Sequence, residues 1–76
     1  MPEKLPVISG KEAMRAFENA GWQFVRVGSS RHFIFKKQGL ITTLSIPDHK
    51  VLDRGLLRSL IRDAYMSIDE FCNFLR

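Results

Sequence analysis

The sequence predicts an α+β domain in the order α-β-β-β-α-α, a three-stranded antiparallel sheet with helices on one face. Three observations predict it. Two capping boxes, Ser9-Gly10-Lys11-Glu12 and Ser67-Ile68-Asp69-Glu70, open helices near the two ends of the chain. Between them lie three short runs rich in aromatic and β-branched residues, separated by glycine-containing turns. A second stretch with helical apolar spacing follows the last of these runs. A meander with helices packed on one side is the simplest arrangement of such a series.

The elements follow in order. Residues 1–8 read as an extended leader, because Pro2 and Pro6 disfavour helix around them. In the first helix the Ser9 hydroxyl accepts from the Glu12 amide, and the Glu12 carboxylate reaches back to Ser9. Met14, Phe17 and Ala20 recur at helical spacing and form its expected buried stripe. Gly21 is a left-handed stop. Residues 22–27 alternate as a strand, with Trp22 and Phe24 on one face, and Trp22 and the phenylalanines are expected in the core. Gly28-Ser29-Ser30 turns the chain into a second strand, 32–37. There Phe33 and Phe35 share one face, and His32, Ile34 and Lys36 share the other. Gln38-Gly39 leads to a third strand, 40–46, ended by Pro47.

A polar connection covers 48–55. Asp53 is the expected N-cap of a helix whose apolar face is Leu56, Leu57, Leu60, Ile61 and Ala64. On that helix Arg54, Arg58 and Arg62 recur every four residues and form a cationic stripe. The final helix holds Phe71, Phe74 and Leu75, with Cys72 packed among them.

Composition narrows the class. A chain of 76 residues makes one domain, 1–76, with a core small enough that a partner or an oligomer could add to its stability; no particular oligomeric state follows. At 45% hydrophobic it is a folding sequence and not a disordered tail. The net charge of +4 favours polyanionic or acidic partners. One cysteine allows no internal disulfide, which fits a reducing, cytoplasmic setting. No run is long enough to span a membrane, and the first residues carry no apolar signal core.

The candidate chemistry gathers at 28–39. His32 stands where a small polar loop meets an aromatic strand, flanked by Arg26, Arg31, Lys36 and Lys37. Imidazole changes charge near neutral pH and suits proton transfer in water. The cations suit a phosphodiester. His32 and His49 fall in different elements with no Cys, Asp or Glu at ligand spacing, so no metal site is expected. Ser29 and Ser30 lie too near His32 along an extended chain for a Ser-His-Asp hydrolase, and the Gly28 turn lacks the Gly-Lys-Ser/Thr ending of a P-loop. RNA cleavage needs less equipment, because the 2′-hydroxyl is a nucleophile held beside its own phosphate. His32 with Arg31, Lys36 and Lys37 supplies that minimum, and Arg54, Arg58 and Arg62 could track a longer RNA. Ser29, Ser30, His49 and Lys50 are possible supporting residues. The plainer reading makes His32 a structural strand residue, His49 a loop residue and the arginine stripe a solvated face.

From Ser9 to Leu75 the chain resembles the HicA toxin family. The residues that carry this are Ser9-Gly10-Lys11-Glu12, Gly21-Trp22, the glycine-serine-histidine hairpin, Thr42-Thr43-Leu44-Ser45-Ile46-Pro47-Asp48-His49-Lys50, Leu52-Asp53-Arg54-Gly55-Leu56-Leu57-Arg58-Ser59-Leu60-Ile61-Arg62 and the Ser67-to-Phe71 helix start. The resemblance implies a fold similar to a double-stranded-RNA-binding domain. It implies the toxin of a type II toxin–antitoxin module, an mRNA interferase that inhibits translation by metal-independent cleavage with one catalytic histidine and no cofactor. It further implies a HicB-type antitoxin as partner. The family's histidine follows a Gly-Ser or Gly-Thr pair at the start of the second strand. Alignment through Phe35 and Lys36-Lys37-Gln38-Gly39 puts His32 there, after a loop longer than the family's. A register without the extra residues puts Ser30 there. The alternative function is a non-catalytic RNA-binding module or an inactive antitoxin-binding relative.

Overall fold

A computed structural model of the protein describes residues 5–75. Helix α1 (Gly10–Asn19) is followed by strands β1 (Gln23–Val27), β2 (His32–Lys36) and β3 (Thr43–Pro47), then by α2 (Arg54–Asp63) and α3 (Ile68–Phe74). The strands form an antiparallel sheet in the order β1-β2-β3. The expected α+β order and the helix-covered meander are both present.

Local chemistry explains the helix ends. The Glu12 amide donates to Ser9 Oγ at 3.1 Å, and the Ser9 amide donates to Glu12 Oε1 at 3.0 Å. Ser67 and Glu70 repeat the arrangement at α3. Asp53 accepts from the Leu56 amide and caps α2. Such caps are worth about 1 kcal/mol each. Gly21, at φ 102°, ends α1. Tyr65 ends α2 in the left-handed region, at φ 60°, where a glycine is usual.

The core lies between the helices and one face of the sheet. Phe35, Leu44 and Ile46 point from the sheet towards Ala13, Ala16 and Phe17 of α1, Leu57, Leu60 and Ile61 of α2, and Phe71 of α3. Phe17 and Phe71 meet with ring centroids 5.0 Å apart. Burial of each such side chain contributes roughly 1.5–3 kcal/mol. Gly10 allows α1 to touch the end of β3. Its amide donates to the His49 carbonyl at 2.8 Å, and a Cβ there would collide with the Pro47 carbonyl oxygen.

Several expectations shift. The third strand begins at Thr43, not residue 40, because Lys37 to Leu40 closes a turn and Ile41 is fully exposed with no ladder partner. The strand includes Pro47, which an edge position tolerates. The second strand stops at Lys36, since Lys37 turns away to α1. The deepest residues of α1 are Ala13, Ala16 and Phe17, with Met14 and Ala20 half-buried. Phe24 is 46% exposed instead of buried, because the helices leave the β1 edge of the sheet uncovered. Cys72 is half-buried. Of the expected leader, residues 1–4 lie outside the described residues. Leu5 and Ile8 are buried, and the Ile8 carbonyl accepts from the Leu52 amide. Among the described residues no helix is long and apolar enough to cross a membrane.

Candidate active-site cleft

The face of the sheet away from the helices carries an open cleft of about 480 Å³, lined by Arg26, Gly28, Ser29, Ser30, His32, Ile34 and Ser45. Strand parity assembles most of it. His32 and Ile34 point outward from β2, and Ser45 stands opposite Ile34 on β3. Arg26 arrives differently. Phe24 pairs with Phe35 and Arg26 pairs with Ile34, so Val25 is an extra residue, a β-bulge. Simple alternation from Trp22 and Phe24 would send Arg26 to the helix side. The bulge turns it outward, into the cleft. Gly28 floors the cleft, since a Cβ there would press on the Ile34 side chain at 3.1 Å.

The loop before β2 holds the His32 ring. Ser29–Arg31 forms a single 3-10 turn in which Ser30 and Arg31 have φ of 57° and 58°. Two consecutive non-glycine residues in that region cost about 1–2 kcal/mol each. The Gly28 amide donates to the His32 carbonyl at 2.6 Å and closes the loop. The turn presents the carbonyl oxygens of Ser29 and Ser30 to His32 Nδ1, at 3.2 and 3.1 Å. Carbonyl oxygens only accept, so Nδ1 carries the hydrogen in both contacts. A neutral ring held this way has its lone pair on Nε2. Nε2 makes no protein hydrogen bond among the described residues.

The other residues singled out by sequence are dispersed. The Arg31 side chain, 86% exposed, turns to Asp48 at 3.7 Å and lines a second groove of about 350 Å³ with Ser9, Lys11, His49 and Lys50. Lys36 shares the outward face of β2 but lies four residues beyond His32, about 13 Å along the strand. The Lys37 ammonium donates to the Ala20 carbonyl at 3.0 Å and caps the end of α1. Arg54, Arg58 and Arg62 are exposed on α2, in the helical layer behind the sheet. Ser29 and Ser30 border the cleft and meet His32 through their main-chain carbonyls. Among the described residues no three His, Cys, Asp or Glu side chains gather as a metal site.

Sequence reasoning left Ser45 out of the site and did not put Arg26 in the cleft. For Ser45 the signal was present: outward parity opposite Ile34 in an antiparallel neighbour. For Arg26 there was none, because a bulge at Val25 has no glycine or proline to announce it.

A small sheet with one helix-free face, bearing a histidine and an arginine in an open cleft, defines a class of α+β fold with a polar surface site. A scan against protein-family models matches the description HicA toxin of bacterial toxin-antitoxin over residues 10–66. The chain belongs to the HicA toxin family, and membership implies a toxin–antitoxin module with an antitoxin partner and an RNA target. A search of curated proteins returns no match.

Proposed function

We propose that the protein is the RNA-cleaving toxin of its module, an mRNA interferase in which His32 moves the proton of the attacking hydroxyl. The observation that carries this reading is the ring itself: half-buried on the helix-free face, fixed through Nδ1, with Nε2 free at an open cleft beside Arg26. A structural histidine of this fold would sit under the helices with both nitrogens engaged.

The chemistry needs no cofactor. RNA lies across the open face with a phosphate in the cleft. Nε2 takes the proton of the 2′-hydroxyl, and the 2′ oxygen attacks phosphorus. The new O–P bond forms as the bond to the 5′ oxygen breaks. That oxygen leaves with a proton drawn from water, and the imidazolium returns its own to solvent. The products are a 2′,3′-cyclic phosphate and a 5′-hydroxyl. Lys36 meets the strand further along the face. Arg31 holds it at the neighbouring groove with Lys50 and His49, and Arg54, Arg58 and Arg62 attract its more distant phosphates. Lys37 serves the fold.

The antitoxin, of the HicB type by family, covers the same open face. Val25, exposed at the bulge next to Arg26, supplies a dry contact for it, and the exposed flanks of Phe24 and Val27, which face the helix side with Phe35 and Phe33, extend that contact around the β1 edge. The surrounding cations set the speed and orientation of docking.

The test is inducible expression of wild type and His32→Ala in a bacterial cell. Wild type is expected to stop growth and fragment mRNA, and His32→Ala to do neither. Growth arrest by both variants with intact mRNA would instead identify a binding protein without catalysis.

A further inference from the structure

A single general base leaves half of the reaction unaccounted for. As the 2′ oxygen bonds to phosphorus, the phosphodiester passes from one negative charge towards two, spread over its non-bridging oxygens. A cation aimed at those oxygens has to stand in the same cleft as the base. Most of the cations near His32 in sequence are placed elsewhere. The Arg31 guanidinium is with Asp48 in the neighbouring groove, and the Lys37 ammonium is on the α1 carbonyl. Lys36 is about 13 Å along the strand.

Arg26 remains, and the backbone has been altered to bring it there. The extra residue at Val25 reverses the parity of β1, so Arg26 stands across from Ile34 and borders the cleft with His32. Its guanidinium reaches over the floor of the cleft: Arg26 Nη1 lies 3.6 Å from where a Cβ of Gly28 would stand, an ordinary contact distance, while the tight neighbour of that position is Ile34 at 3.1 Å. Arg26 has no carboxylate partner among the described residues, so its fork of donors is free for a phosphate.

From this placement, and resting on the RNA-cleaving reading of the cleft, we infer that Arg26 is a second catalytic residue. Its guanidinium binds the non-bridging oxygens of the scissile phosphate and holds the charge that builds on them, while His32 Nε2 takes the 2′ proton. The β-bulge at Val25 is the device that puts the two groups in one cleft.

The test uses the full chain, a long unstructured transcript under single-turnover conditions, and the same RNA with 2′-O-methyl groups as a binding probe. Arg26→Ala is expected to slow cleavage about 10²–10³-fold, with a much smaller change in binding of the methylated RNA and an unaltered melting temperature. Arg26→Lys keeps the charge without the fork and is expected to fall between the two. Added guanidinium ion is expected to restore part of the rate to Arg26→Ala and none to His32→Ala. Arg26→Met keeps an apolar stem of similar length and removes the charge. Cleavage by Arg26→Met or Arg26→Ala at the wild-type rate, with His32→Ala inactive, would overturn the assignment of Arg26 and leave the role of His32 standing. A wild-type chain that leaves every transcript intact would overturn both.

Discussion

The two faces of the sheet are made by different means. The helix-covered face follows from periodicity: Phe33, Phe35, Leu44 and Ile46 alternate inward and meet apolar helix stripes placed by their caps. The open face depends on irregularities. A bulge at Val25 turns Arg26 outward, and two left-handed residues, Ser30 and Arg31, bring backbone carbonyls to the His32 ring. The covered face contributes stability. The open face stores strain where a reacting group has to be held in one orientation. A substitution on one face is therefore expected to move a different observable from a substitution on the other.

The largest expected effect is on the covered side. Phe35 is fully buried and packs edge-on to Phe24 at 5.7 Å. Phe35→Ala is expected to cost about 3–5 kcal/mol, read as a collapse of the denaturant midpoint. A loss under 1 kcal/mol would mean that the core does not depend on this layer.

On the open side, Ser30→Pro attacks the turn and not the imidazole. Proline fixes φ near −65°, whereas Ser30 sits at 57°. The carbonyls then leave Nδ1. Cleavage is expected to fall about 100-fold, the size of a lost acid–base group, with stability changed far less than in Phe35→Ala. Nitrogen NMR of the neutral imidazole is expected to show the Nδ1–H form in wild type and a mixture in the variant. An Nε2–H ring in wild type would break the proposed geometry.

The smallest effect separates the cleft from the arginine stripe behind it. Replacing Arg58 and Arg62 with Gln removes charge from the helical layer and touches nothing in the cleft. The salt dependence of RNA binding is expected to flatten by roughly 1.4 in log–log slope for two single-strand phosphate contacts, with the cleavage rate at saturating RNA unchanged. An unchanged slope would assign the stripe to the antitoxin or to solvation.

Legibility in the sequence divides along the same line. Ser9 with Glu12, Asp53, Ser67 with Glu70, and Gly21 gave away the helix ends, because each signals through chemistry local to the chain. The outward parity of His32, Ile34 and Lys36 was readable from alternation alone. The start of β3 was misplaced because Leu40 and Ile41 look like strand residues, and only the tertiary path shows that Ile41 lacks a partner. Phe24 was misjudged because an aromatic on an edge strand has core composition without core surroundings. The fates of Arg31 and Lys37 were closed to sequence reasoning, since Asp48 and the Ala20 carbonyl are neighbours only after folding. The same holds for Arg26, whose side of the sheet turns on one unannounced extra residue.

The most direct measurement compares purified wild type with His32→Ala, following the rate of RNA cleavage and the chemistry of the new ends in the presence of a chelator. The account predicts 2′,3′-cyclic phosphate and 5′-hydroxyl ends from wild type, and a loss of about 100-fold or more in His32→Ala with its melting temperature retained. Cleavage by His32→Ala at the wild-type rate, or wild-type cleavage stopped by the chelator, would contradict it.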